Sequence, residues 1–133
     1  MFLLDTNAVS ELRKAPSGRA DARVAAWYRG TDALDLYVSV ITLQEVMTGI
    51  LLKERRDAVQ GAALRRWFDK RLLPSFQGRV LAVDAAVALR CAALHAPDRR
   101  PALDALIAAT ALVHDLTVVT RNVVHFAPWV SRS

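Results

Sequence analysis

Three acidic residues, far apart in the sequence, each lie at a predicted strand end or helix start. Asp5 directly follows the apolar segment Phe2–Leu4. Glu45 lies in the first turn of the helix predicted after the segment LYVSV, and Asp104 lies in the first turn of the helix that leads into the segment TVVT. Carboxylate oxygens bind hard divalent cations, which in turn bind phosphate groups. These residue types therefore indicate metal-assisted phosphoester chemistry.

If Asp5, Glu45 and Asp104 converge, their like charges share one small site. Such a cluster is tenable only when a cation or protons offset the repulsion. Magnesium or manganese is the natural cation, because both take carboxylate oxygens, keep several waters and leave positions open for phosphate. We therefore expect a Mg²⁺ or Mn²⁺ site.

Each acid also has a purely structural interpretation. Asp5 would cap a helix that begins near Thr6, and Thr42 with Glu45 matches the reciprocal capping box. Asp104 would favour the dipole of its helix. However, the segment ALDALIAATALV is apolar nearly all round, so we expect it to be enclosed and its carboxylate to need a partner; Arg99 and Arg100 precede it.

A fourth acid, Asp84, also follows a predicted strand and precedes a predicted helix. Spacing alone does not exclude it from the site. We assign Asp84 to helix capping, because its helix needs an N-cap and the sequence Asp-Ala-Ala has no other.

Predicted strands alternate with predicted helices along the whole chain. The strands are expected at residues 2–4, 36–40, 80–83 and 117–120. The helices are expected at about residues 6–13, 21–29, 42 onward, 56–72, 84–95 and 101–114. This alternation is typical of an α/β domain with a mostly parallel central sheet. Ligands of such sheets gather at the carboxyl ends of the strands, where the acids lie.

Composition indicates one globular domain spanning residues 1–133, with 53% hydrophobic and 23% charged residues. No apolar segment is long enough to cross a membrane, so we expect a cytoplasmic protein. Cys91, the only cysteine, is expected to be a small core residue. The net charge of +5 favours polyanionic partners, although the basic cluster at residues 53–71 is also typical of a solvated helix face.

The segments MFLLDTNAVSELRK, SVITLQEVMTGI and LDALIAATALVHDLTVVTRN resemble the PIN-domain ribonucleases, specifically the VapC/FitB-like toxins of bacterial toxin–antitoxin pairs. The resemblance covers essentially the whole chain, with the three segments in order. It implies an α/β/α sandwich around a parallel sheet and a Mg²⁺- or Mn²⁺-dependent endoribonuclease. It also implies a homodimer and an antitoxin protein as partner.

By position, the resemblance carries the family's acidic site onto Asp5, Glu45 and Asp104, and a fourth metal-site position onto Asn122. Asn7 and Thr120 match polar positions that support this cluster. Family members often carry aspartate at the position of Asn122 or three residues later, where this chain has His125. An asparagine carbonyl accepts a metal or a bridging water but adds no negative charge, so a second metal would bind weakly.

The implied mechanism is hydrolysis of RNA by a metal-activated water, with Glu45 or Asp104 orienting that water. Arg13, Lys14 and Arg121 are the predicted contacts to flanking phosphates, and Trp67 with Phe68 is a predicted dimer contact. Two alternatives stay open. One is a PIN-like module that binds RNA or protein without cleavage, and the other is a metal-dependent phosphoesterase or DNA nuclease.

Overall fold

A four-stranded, fully parallel sheet forms the centre of the computed structural model, which describes residues 1–14, 18–96 and 98–120. The strands are β1 (Phe2–Leu4), β2 (Leu36–Ser39), β3 (Val80–Leu81) and β4 (Thr117–Val119), in the spatial order β3-β2-β1-β4. Leu4 of β1 pairs with Val38 of β2 on one side and with Val119 of β4 on the other. The predicted α/β class with a parallel sheet is confirmed.

Helices connect the strands and cover both faces of the sheet. They are α1 (Thr6–Lys14), α2 (Ala22–Arg29), α3 (Val40–Arg56), α4 (Ala58–Trp67), the short α5 (Leu73–Ser75), α6 (Ala85–Leu94) and α7 (Ala102–His114). A π-helical turn, Phe68–Leu72, joins α4 to α5. Within the described part of the chain, no helix combines the length and the apolar character that crossing a membrane requires.

Alternate residues of β1 face two separate hydrophobic clusters, as the period of a strand requires. Leu4 packs with Val9, Ile50 and Phe68 on the face covered by α1, α3 and the end of α4. Leu3, on the opposite face, packs with residues of α7, including Ile107. A third cluster, which includes the buried Cys91, joins α6 to α7. The sheet is therefore the middle layer of three.

The chain reverses its direction across the sheet next to β1. From β1 it proceeds to β2 and β3 on one side, and after α6 and α7 it returns to β4 on the other side. In open α/β sheets, ligands bind at this topological switch point, outside the carboxyl ends of the strands. Asp5 lies there, and its backbone N–H donates to the carbonyl of Val119 at 3.0 Å.

Several predicted segments differ from the structure; strand β3, for example, ends at Leu81 rather than at Val83. Strand β2 ends at Ser39, one residue early, because the Ser39 hydroxyl accepts from the backbone N–H of Ile41 and starts α3 there. The single helix predicted at residues 56–72 is instead α4 followed by the π-helical turn. In this region Val59 is 81% exposed, and Phe68, which the sequence predicts as a dimer contact, is only 7% exposed and lies in the core.

Candidate active site

Asp5 lies between the end of β1 and the start of α1. Its Oδ1 accepts from the backbone N–H of Ala8 at 2.8 Å, which caps α1 as the structural interpretation predicts. The side chain is nevertheless half-buried, and burial is the main reason that its pKa rises from 3.8 to about 6. The negative charges of Asp104 and Glu45 raise this pKa further, against the lowering effect of the Ala8 and Asn7 backbone N–H groups.

The capping interpretation of Glu45 is wrong. Because α3 begins at Val40 with Ser39 as its N-cap, Thr42 lies inside the helix and Glu45 lies one turn later than expected. The Glu45 carboxylate instead accepts a hydrogen bond across elements, from the hydroxyl of Thr6 on α1, at 2.5 Å. The Thr6 hydroxyl also lies 3.4 Å from the hydroxyl of Thr42, which is fully buried. This network orients Glu45 toward the end of β1.

Asp104 is the third residue of α7 and is exposed, whereas the helix is buried from Ala105 onward, apart from Leu106, as far as Ala111. The helix is therefore buried as predicted, but the side chain of Asp104 is not. Among the described residues, no salt bridge joins Asp104 to a cation. Arg100 donates its Nε to the carbonyl of Leu94. The negative charge of Asp104 is one of the smaller causes that raise the pKa of Asp5.

Asp5, Glu45 and Asp104 are hereafter called the acidic site. Each is delivered by a different segment, and the charges of the other two raise the pKa of Asp5, so all three lie within electrostatic range. Across residues 1–14, 18–96 and 98–120, no three acidic, histidine or cysteine side chains surround a single point closely enough to be ligands of one ion. The donor chemistry suits a hard cation that keeps its waters, since such ions are bound by one or two carboxylates directly.

The other predicted site residues have mixed surroundings. Asn7 is exposed at the start of α1, and Thr120 is half-buried directly after β4. Lys14, a predicted RNA contact, forms a salt bridge to the buried Glu11 at 2.9 Å. Asn122 and Arg121, together with the alternative His125, lie outside the described residues.

A cleft of about 750 Å³ opens beside the acidic site. Three segments line it: α1 with Thr6, Ser10 and Arg13; α3 with Glu45, Val46, Gly49, Ile50, Lys53 and Arg56; and α4 with Gln60, Ala63, Leu64 and Trp67. Arg19 completes its wall. We call it the basic cleft, because it is lined by four cations and, among the described residues, by one acid, Glu45. The predicted phosphate contact Arg13 therefore lines a cleft that reaches the acidic site.

A second groove, of about 790 Å³, lies between α1, α2 and the end of α4. Its floor is apolar, with Leu12, Leu72 and Phe76, and Lys70 and Arg71 are among the cations at its rim. None of the three acids lines it. It is separate from the acidic site.

Two features of the site were missed from the sequence. Thr6 stands between two predicted site residues in LLDTN, and its hydroxyl beside an acid was the available signal. Lys53 and Arg56 were noticed only as part of a basic cluster typical of a solvated face, yet they line the basic cleft. Their neighbour Arg55 does not line the cleft, although Arg55 and Arg56 are both exposed.

Comparison with known proteins gives a consistent result. The family model of the PIN domain matches residues 2–126. The chain is 37% identical to Toxin FitB of Neisseria gonorrhoeae, over 97% of this chain and 99% of that protein. It is 36% identical to VapC ribonuclease Y4jK of Sinorhizobium fredii, over 92% of this chain and 87% of that protein.

Solved structures show the same fold. The crystal structure of FitAcB from Neisseria gonorrhoeae superimposes with a TM-score of 0.82 at 35% identity, covering 92% of this chain and 88% of that one. A toxin–antitoxin complex from Klebsiella pneumoniae superimposes with a TM-score of 0.62 at 25% identity, covering 92% of this chain and 87% of that one.

Proposed function

Because the chain belongs to the PIN-domain family, we propose that it is a Mg²⁺- or Mn²⁺-dependent endoribonuclease that acts as the toxin of a toxin–antitoxin pair. Its relatives are named as a toxin and as a ribonuclease over nearly the whole of this chain. One relative of known structure is described as part of a toxin–antitoxin complex, which supports an antitoxin protein as the partner of this chain. We also propose that the protein forms a homodimer.

The observation that carries the proposal is the position of Asp5 at the end of β1, next to the hydrogen bond that joins Thr6 to Glu45. The charges of Glu45 and Asp104, which raise the pKa of Asp5, support it. Desolvation alone would raise the pKa of one buried carboxyl, but here two further acids from distant segments raise it as well. A fold gains nothing in stability from bringing like charges together at a half-buried position. A cation that binds there and contacts a phosphate explains the arrangement.

A divalent cation bound at the acidic site would neutralise charge on the scissile phosphate and lower the pKa of a bound water. Asp5, Glu45 and Asp104 would hold that ion, partly through its waters, and Asn122 is the proposed fourth position. Thr6 holds the Glu45 carboxylate in place through its hydroxyl. Asn7 and Thr120 are the proposed polar supports of the site.

Basic residues near the acidic site would hold the RNA on either side of the cut. Arg13 lines the cleft that reaches Glu45, and Arg121 is proposed from its position after β4. Lys14 is a weaker candidate, because binding a phosphate would require it to leave the buried carboxylate of Glu11. Such contacts position RNA without reading its sequence.

The test is cleavage of labelled RNA by the purified full chain with Mn²⁺, with Mg²⁺ and with EDTA. We expect cleavage with either metal and none with EDTA. Asp104→Asn and Glu45→Gln should each reduce the rate by about 10²-fold or more, because each removes charge from the metal site. Asp84→Asn is the matched control: Asp84 also follows a strand, but its carboxylate caps α6 by accepting from Val87, and asparagine caps equally well.

Each alternative outcome is decisive. Cleavage that persists in EDTA would refute the metal mechanism. RNA binding without cleavage would favour a PIN-like binding module. Activity restricted to DNA or to small phosphoesters would favour a metal-dependent phosphoesterase or DNA nuclease. If Asp84→Asn and Asp104→Asn reduced the cleavage rate equally, the acidic site would have no special role in cleavage.

A further inference from the structure

Two rows of side chains diverge from the Thr6–Glu45 hydrogen bond along the walls of the basic cleft. On α1 the row is Thr6, Ser10 and Arg13, and on α3 it is Glu45, Gly49, Lys53 and Arg56. Spacings of three and four residues keep each row on one side of its helix. Both rows therefore pass from the acidic site, through small residues, to cations.

The cations at the far ends of these rows are available to a ligand. Within the described part of the chain, Arg13, Lys53 and Arg56 take part in no salt bridge. Other cations are engaged with protein groups: Arg65 binds Glu54 through two hydrogen bonds, and Arg79 donates to backbone carbonyls. Arg13, Lys53 and Arg56 can therefore bind a ligand without giving up an ion pair to a described residue, as can cations outside the cleft such as Arg66 and Lys70.

Gly49 provides an independent observation. A glycine inside a helix is destabilising relative to alanine, and α3 holds Gly49 near its middle. A Cβ added at Gly49 would meet no atom of the described residues within 4 Å, so packing within the chain does not require glycine there. Gly61 on α4 shows the contrast, because its Cβ would lie 2.6 Å from Cα of Glu54. The missing side chain at Gly49 leaves space in the basic cleft.

We propose that the basic cleft is the track of the RNA substrate, along which single-stranded RNA runs from the acidic site, past Gly49, to Lys53 and Arg56. The inference rests on the proposed ribonuclease function. From Glu45 to Arg56 the helix rises about 16 Å, the axial length of about five stacked nucleotides. A cationic groove of this kind follows the backbone of a single strand with little dependence on sequence. Gly49 lets that backbone approach the helix closely.

The test compares a long and a short RNA of the same cleavable sequence. The long substrate has about six additional nucleotides on each side of the cut, and the short one has a single nucleotide on each side. In the unchanged protein we expect kcat/KM to be higher for the long RNA. Lys53→Ala and Arg56→Ala should each lower kcat/KM for the long RNA by about tenfold, because each removes a phosphate contact. Neither substitution should change kcat/KM for the short RNA.

Arg55→Ala is the matched control, since Arg55 lies in the same last turn of α3 as Arg56 but does not line the cleft. Gly49→Leu is the complementary variant. Leucine is a better helix former than glycine, so Tm should rise by about 2–4 °C while cleavage of the long RNA falls. A higher Tm together with slower cleavage of the long RNA would show that leucine blocks the track without damaging the fold.

Failure of the track and failure of the proposed function give different results. If the unchanged protein cleaves neither RNA, the proposed function is wrong and the proposed track is refuted as well. If both are cleaved and the ratio of their kcat/KM values is unaffected by Lys53→Ala, Arg56→Ala and Gly49→Leu, only the track is refuted. If these variants no longer co-purify with a co-expressed antitoxin but still cleave both RNAs as the unchanged protein does, the cleft binds the antitoxin rather than RNA.

Discussion

The carboxyl group of Asp5 caps α1 and also lies near two other acids. It accepts the Ala8 backbone N–H at the start of α1, and it lies half-buried within range of two like charges. The first role favours the charged form and the second opposes it. Burial and repulsion dominate, so the pKa is raised to about 6.

This raised pKa makes the stability of the metal-free protein depend on pH. Between pH 3.8 and about 6 the folded protein holds a proton on Asp5 that the unfolded chain releases. The free energy of unfolding should therefore decrease as pH rises through this window, and Asp5→Asn should lack that contribution. Urea unfolding in EDTA at pH 4, 5, 6 and 7 measures the difference. Parallel profiles for the two proteins would show that Asp5 does not titrate in this way.

Thr6 orients Glu45 through the hydrogen bond between α1 and α3. Thr6→Val keeps the shape but removes the donor, so we expect a loss of about 1–2 kcal/mol in the free energy of unfolding. The rise in Tm on adding Mn²⁺ should also shrink, since a misplaced carboxylate binds the ion less well. Thr6→Ser, which keeps the hydroxyl, should restore both. An Mn²⁺ response identical in all three proteins would reduce Thr6 to a packing residue.

At the scale of elements, the close approach of α3 and α4 shapes the outer wall of the basic cleft. Gly61 allows this approach, because any side chain there would collide with the backbone of Glu54. The Glu54–Arg65 ion pair spans the same two helices, with Nε of Arg65 2.6 Å from the carboxylate. The two helices are therefore held at a separation that only glycine permits.

Gly61→Ala should destabilise the protein even though alanine is the better helix former. Overpacking costs about 1–3 kcal/mol, against a gain of at most about 1 kcal/mol in helix propensity, so we expect a net loss of about 1–2 kcal/mol. Urea unfolding measures it, with Gly49→Ala as the control that should stabilise the protein. A stabilised Gly61→Ala variant would mean that α3 and α4 separate freely.

For the whole molecule, the excess of positive charge matters through its distribution. The chain carries a net charge of +5, and some of its cations, such as Lys14, Arg65 and Arg79, are engaged with acids or carbonyls. Arg13, Lys53 and Arg56 line the basic cleft, which Glu45 also lines. Binding of RNA should therefore depend on a few local charges rather than on the net charge.

RNA binding by the cleavage-deficient Asp104→Asn variant should weaken steeply with salt. Three cations that each neutralise one phosphate of a single strand predict a slope of about −2 for log K against log salt concentration. The double variant Lys53→Ala, Arg56→Ala in the same background should have a slope shallower by about 1.4. Fluorescence anisotropy with labelled single-stranded RNA at 50–300 mM KCl measures both slopes. A slope unchanged by the double substitution would place the phosphates elsewhere.

Much of the fold was predictable because its signals are local. Each predicted strand exists to within two residues, and Asp84 caps α6 as expected. The errors lie where two local signals compete. The segment Ser39–Glu45 contains two possible caps, Ser39 and Thr42, and the chain uses the first. The helix predicted at residues 56–72 is instead α4 followed by a π-helical turn, which the sequence pattern did not indicate.

By itself, the sequence determined the alternation of strands and helices and the position of an acid after β1, because both depend on residues within a few positions of each other. Only the tertiary structure decided that Glu45 bonds to Thr6 rather than capping its own helix, that Asp104 acts on Asp5, and that Arg56 rather than Arg55 lines a cleft. These relations depend on strand order and helix packing, which bring together residues that no local pattern connects.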